Sequence, residues 1–202
     1  LGLQVDPRSG AVYVSNYGAG SISVVDSTAL TETATLNVGT EPAGLVLDPL
    51  RDRLIVANHH YLLNSLSVLP LPDGGVTTIP VGGGPYGVAL DPGTGRIFTA
   101  NTTGNSVSVV EVDGHVHEVP LPDAAYLVAF NPRSGHLFAV CPDSQTVYVL
   151  DGTRLNILAT LPVGRGAQYG IAVDESRQRV YIANAEDDTV TVIQDVPPRP
   201  KV

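Results

Sequence analysis

One phrase recurs five times along this chain, and that repetition constrains the fold more than any local signal. "AVYVSNYGAGSISVVDS" begins at Ala11, "RLIVANHHYLLNSLSVLP" at Arg53 and "RIFTANTTGNSVSVVEVDG" at Arg96. "HLFAVCPDSQTVYVLDG" follows from His136 and "RVYIANAEDDTVTVIQD" from Arg179. Two sets of register marks fix the period: Asp6, Asp48, Asp91, Asn131 and Asp174, and Asn16, Asn58, Asn101, Cys141 and Asn184. Both step by 42, 43, 40 and 43 residues. A unit of that length cannot bury an apolar face alone and must stack on its copies.

Each unit divides alike. A first strand such as "GVALDP" runs into an Asp-Pro turn, where the carboxylate can accept from turn amides, Pro presets φ and Gly takes positive φ. A second strand such as "RIFTAN" ends at the Asn mark, and a third such as "NSVSVVEV" alternates Ser or Thr with Val. A fourth such as "VTTIPVG" closes the unit before a Gly/Pro-rich passage. The first strands read as buried on both faces and the third strands as half-exposed. Four short strands per period of roughly 40 to 45 residues predict an all-β propeller of four-stranded antiparallel blades. A β-sandwich would not explain so strict a period. A strand count finds five first, second and third strands but only four fourth strands, because "PPRPKV" after Val196 is too proline-rich to pair. The expected domain is 1–196, with units at about 1–39, 40–82, 83–122, 123–164 and 165–196, and 197–202 as a tail. Either this is a five-bladed ring with a three-stranded last blade or a portion of a larger propeller; the count leans slightly to the second.

Composition narrows the partners. A net charge of −9 with a single lysine, Lys201, argues against nucleic acid and anionic membranes, which need Lys and Arg clusters. No stretch approaches the roughly 20 apolar residues of a membrane span. One cysteine, Cys141, excludes an internal disulfide and leaves the redox compartment undetermined. The chain opens on Leu1 with no signal peptide in view, which reads as a processed or trimmed product.

At "YVSN", "IVAN", "FTAN" and "YIAN", with "SISVVD", "NSVSVV" and "DTVTVI" behind them, the chain resembles the YVTN-type β-propeller repeat. "ATLNVG", "TTIPVG", "ATLPVG" and "PYGVALDPGTG" extend the resemblance to about Asp195. It implies blades set radially around a central channel. Similar propellers serve as surface-layer and secreted proteins, as lactonase-like enzymes and as haem d1-binding domains. The resemblance therefore implies an extracellular or periplasmic setting, and no catalytic motif comes with it.

In such a fold the fourth-to-first and second-to-third loops share the face that frames the channel mouth. Tyr86, Tyr126 and Tyr169 hold one register position there, where the first complete loop has Ala43. They read either as an aromatic rim with hydroxyls for a flat polar ligand or as caps on the inter-blade crevice. "NHHYLLN" is the longest second-to-third turn, and insertions on a rigid scaffold are where function often sits. His59 and His60 point oppositely in an extended segment, so they would not share one ion. Either could act as acid or base near Tyr86, and Tyr61 adds a third polar ring. Glu41 and Arg165 supply charge at the same mouth. The Asn marks read as turn formers. Cys141 reads as a small buried residue rather than a nucleophile. His115 and His117 share a strand face but lack a third ligand, and Gly82–Pro85 opens no helix, so no metal or cofactor is expected.

Two functions follow. One is a non-catalytic scaffold of an envelope or secreted protein, binding a small polar ligand or a protein, with self-association through open blade faces. The other is a lactonase-like small-molecule hydrolase with its site at the channel mouth.

Overall fold

The computed structural model describes residues 2–60, 62–71 and 74–196, and they form five antiparallel sheets. The first holds β1 (Leu3–Val5), β2 (Ala11–Asn16), β3 (Ser21–Asp26) and β4 (Thr31–Asn37). The second holds β5 (Pro42–Asp48), β6 (Arg53–Asn58), β7 (Ser65–Pro70) and β8 (Thr77–Pro80). β9 (Pro85–Leu90), β10 (Ile97–Asn101), β11 (Ser106–Val110) and β12 (Val116–Pro120) make the third. β13 (Leu127–Asn131), β14 (His136–Cys141), β15 (Thr146–Asp151) and β16 (Ile157–Pro162) make the fourth. The fifth has three strands, β17 (Ile171–Asp174), β18 (Arg179–Asn184) and β19 (Thr189–Gln194). Each sheet is a meander in chain order, and the innermost strands β1, β5, β9, β13 and β17 touch in sequence around one axis. This is a β-propeller whose fifth blade has three strands among the described residues.

Four apolar cores lie between successive blades. Tyr13 and Ile22 meet Leu45, Leu54 and Val56; Ile55, Ala57 and Leu66 meet Ile97 and Val110. Phe98, Val107 and Val109 meet Leu137, Ala139 and Leu150; Phe138, Val140 and Val147 meet Val180 and Ile182. Fully burying one such Ile, Leu or Phe contributes roughly 1.5–3 kcal/mol. Burial departs from the strand-by-strand expectation. The second strands are the deepest, β10 and β14 being buried at every residue, because each is flanked by two strands and covered by two blades. The first strands alternate instead, as in β9, where the half-buried Val88 and Leu90 pack on the core shared with the second blade. The Ser residues of β7 and β11 are buried, not solvated.

Those serines explain the Asn marks. Asn58 Nδ2 donates to Ser65 Oγ at 3.0 Å and Ser67 Oγ at 2.9 Å, clipping the end of β6 to β7. Asn101 makes the same clip to Ser106 and Ser108, Asn16 to Ser21 and Ser23, and Asn184 to Thr189 and Thr191. Gly39, Gly82 and Gly164 of the preceding unit lie directly on the amides of Asn58, Asn101 and Asn184, where any Cβ would collide. The Asn is thus a clip between strands rather than a turn former. On the opposite face arginines tie three of the Asp-Pro turns to the next: Arg8 to the Pro49 carbonyl at 2.8 Å, Arg51 to that of Pro92 at 3.3 Å, Arg133 to that of Glu175 at 3.4 Å.

Candidate functional site

The register that aligns the Asn marks also aligns the residue after each one, so Tyr17, His59 and Thr102 stand at equivalent places on three successive blades. The blade spacing brings them into contact. Tyr17 Oη lies 3.0 Å from Glu41 Oε2 and 3.3 Å from His59 Nδ1, and His59 Nε2 lies 3.2 Å from Thr102 Oγ1. The Glu41 backbone carbonyl accepts from the His59 amide at 2.9 Å, and Glu41 takes φ 55°, a left-handed conformation uncommon for a non-glycine residue.

Proton bookkeeping assigns the imidazole. Thr102 donates its hydroxyl to the Gly84 carbonyl at 3.0 Å, so its oxygen accepts from His59 Nε2–H. The Nδ1 lone pair then faces Tyr17, whose single hydroxyl proton has two acceptors, Glu41 and Nδ1. The cluster is one proton short of satisfying every contact, and Nδ1 is where that proton would sit. Burial pushes the His59 pKa below 6.5, with the Glu41 carboxylate opposing the shift. Burial and the bond to Glu41 push the Tyr17 phenol upward. His59 is therefore a neutral base at pH 7 beside a carboxylate and a protonated phenol.

Aromatic rings extend from this cluster along the mouth. His59 meets Tyr86 edge-on with ring centroids 5.1 Å apart, and Tyr86 meets Tyr126 at 6.0 Å. Tyr169 stands 72% exposed across a cleft of about 450 Å³ lined by Gly44, Tyr86, Gly87, Leu127 and Gln168. A smaller cleft of about 210 Å³ is lined by Tyr17, Glu41, His59, Gly84 and Thr103. Around Thr40 and Glu41 the surface continues into a cleft lined by Tyr17, Gly39, Thr40 and Glu41, then into another walled by Leu62, Leu63 and Val81.

Not every residue expected at the mouth joins the cluster. His60 Nδ1 accepts from the Leu62 amide at 3.2 Å. Tyr61 lies outside the described residues. Arg165 is held by Asp187 at 2.8 Å, on the fourth-to-fifth passage. Tyr17 and Thr102 were visible from sequence only as loop residues; their shared register with His59 was the signal that they would meet it. One further cleft, about 370 Å³, opens on the Asp-Pro side beside Ser134, His136 and Arg154. There His136 Nδ1 pairs with Asp195 at 2.7 Å, the place where Arg53 and Arg96 tie other blades together. Among the described residues no three His, Cys, Asp or Glu side chains converge as metal ligands, and no helix is long and apolar enough to cross a membrane.

No family model matches the chain, and no curated protein does. Solved structures do. Streptogramin B lyase aligns at a TM-score of 0.76 with 16% identity, over 98% of this chain and 69% of that one. Virginiamycin B lyase from Staphylococcus aureus aligns at 0.74 with 14% identity, over 98% and 70%. Kuenenia stuttgartiensis hydrazine synthase aligns at 0.62 with 18% identity, over 98% and 84%. These likenesses are of fold.

Proposed function

We propose that this propeller is a small-molecule enzyme of acid–base type, a lactonase-like hydrolase working at the channel mouth. The observation that carries the proposal is His59, held through both ring nitrogens between Tyr17–Glu41 and Thr102 on the wall of a cleft. The lyases among the structural neighbours favour this reading over a non-catalytic scaffold. The Nδ1 lone pair faces the Tyr17 hydroxyl, which gives its proton to Nδ1 as it takes one from a water in the cleft. The water's oxygen bonds the lactone carbonyl carbon in the same step. The ring C–O bond breaks, and the departing alkoxide takes its proton from the imidazolium. Tyr86 and Tyr126 would flank the ring as a polar-edged aromatic wall.

The test is a panel of lactones with wild type and His59→Gln. Loss of a general base costs typically 10²–10⁴-fold, so the variant should lose at least about a hundredfold in kcat/KM while melting normally. The base must be neutral, and burial depresses its pKa, so kcat/KM should be flat above pH 6.5 and fall only on acidification below it. The same group stabilises less at low pH: the unfolded chain binds the proton first, so stability falls as pH drops from 6.5 toward the folded value. Undiminished turnover in His59→Gln, or no lactone opened by wild type, would remove the proposal.

A further inference from the structure

The second blade departs from the others at one point on the mouth. Between the register mark and the Ser or Thr that opens the third strand, four blades place four residues: "YGAG", "TTGN", "PDSQ" and "AEDD". The last of the four takes a left-handed backbone each time, at Gly20, Asn105, Gln145 and Asp188. The second blade places six, "HHYLLN", and holds them differently. The Leu62 amide donates to His60 Nδ1 at 3.2 Å and the Leu63 amide to the His60 carbonyl at 3.3 Å. Asn64 then fixes the loop to the passage after β8. Its carbonyl accepts from the Val81 amide at 3.2 Å and its Oδ1 from the Gly84 amide at 2.9 Å.

The two leucines on this loop stay outside the protein's own packing. Leu62 is 68% exposed and Leu63 60% exposed, and neither joins any of the four cores. One exposed leucine is ordinary; two in succession, on the one lengthened turn and walling a cleft, are not. That cleft, about 460 Å³, is completed by Gly39, Thr40, Pro80 and Val81. It shares Gly39 and Thr40 with the next cleft, which shares Tyr17 and Glu41 with the cleft beside His59. Hydrogen bonds join the same two ends. Gly84, whose amide holds Asn64, receives the Thr102 hydroxyl on its carbonyl, and Thr102 accepts from His59 Nε2–H. The leucine wall and the imidazole are anchored on one residue.

We propose that the leucine cleft is a subsite for an uncharged aliphatic chain on the ligand whose ring lies at His59. The proposal rests on the hydrolase reading for the ring and adds the chain to it. From a ring between His59 and Tyr86, the chain passes Tyr17 and Thr40 and ends against Leu62, Leu63 and Val81. A short polar substituent would leave both leucines in water, and an anionic one would meet the Glu41 carboxylate on the way. The chain is bound alike before and during ring opening, so its burial lowers KM and leaves kcat unchanged.

γ-Lactones with linear alkyl chains from methyl to octyl, on the ring carbon next to oxygen, test this. In wild type kcat/KM should climb roughly three- to fourfold, through KM, for each added methylene that enters the cleft. Leu62→Ser/Leu63→Ser, at two exposed side chains, should cut the octyl-to-methyl ratio at least about tenfold. Leu50→Ser, at a leucine 71% exposed on the Asp-Pro turn of the same blade, should leave that ratio unchanged. A second readout does not depend on turnover: 1-octanol should shift the Leu62 and Leu63 methyl resonances in NMR far more than 1-butanol at equal concentration. A kcat/KM independent of chain length, or a ratio that survives the double substitution, would overturn the subsite and leave His59 as the base. Octanol shifts in a protein that opens no lactone would support the subsite and remove the hydrolase reading alone. Leucine methyls indifferent to octanol would sink the subsite whatever the turnover.

Discussion

The third and fourth blades solve one packing problem in two ways. In the third, Gly82 lies on Asn101, whose amide donates to Ser106 and Ser108 at 2.8 Å each. Both hydroxyls donate hydrogen bonds to the Glu118 carboxylate, and Ser108 also accepts from the Gly82 amide at 2.9 Å. In the fourth blade the equivalents are Pro122, Cys141, Thr146 and Tyr148, and nothing of the clip survives. Tyr148 instead spans the gap, donating to Asp123 Oδ2 at 2.7 Å, with the Cys141 thiol turned to the Asp123 carbonyl. Burial pushes that thiol up to about 12, which leaves it protonated and inert. A position that looks like a ring of four identical polar groups is therefore a local fastening, and it can be exchanged only as a set.

The largest break in that contrast should come from the glycine. Gly82→Val would drive its Cβ within 2.7 Å of Glu118 and onto the Asn101 amide. We expect a loss of about 2–4 kcal/mol from overpacking and lost hydrogen bonds, read as a shifted denaturant midpoint at constant m. Pro122→Gly, at the same register, should cost less than about 1 kcal/mol because no amide lies beneath it. Equal losses at the two positions would mean that the clip contributes nothing.

Next come the fastened residues themselves. Asn101→Ala takes the donor amide from both hydroxyls, leaves a buried gap under Gly82, and should cost about 2–3 kcal/mol. Cys141→Ala removes one small buried sulfur and should cost about 1 kcal/mol. Urea unfolding of the pair would sharpen the contrast, and a costlier Cys141→Ala would reverse it. An effect as small as that of Cys141→Ala is expected of Tyr148→Phe, which gives up one hydrogen bond to a half-buried carboxylate, about 1 kcal/mol, while keeping the ring in the core.

The contrast also marks how far the residues alone could be followed. The Asp and Asn spacing fixes strand order and blade boundaries, because turns and caps need particular residue types at particular places. Burial along each strand did not follow, since alternating Ser and Val in β11 looks the same whether serine faces water or an Asn amide. His59 stood out as a candidate because its loop is long and carries adjacent histidines. Its working neighbours did not, because Tyr17 and Thr102 are ordinary loop residues 42 and 43 positions away. Only the spacing of blades around the axis makes them neighbours. Arg165 shows the opposite failure: it lies at the mouth by register, but Asp187 holds it.

Because every apolar core is shared only by blades adjacent in sequence, the order of synthesis is also an order of assembly. A ribosome adding about 5–20 residues per second delivers one unit every few seconds. Hairpins form in about 1–10 μs, so each meander has time to settle before its successor emerges. At every stage the nascent chain then exposes one growing face at its newest blade. The surface bearing Val190 and Val192 stands at the end of a series of such faces among the described blades, each earlier one having been covered within seconds by the next stretch of the same polypeptide.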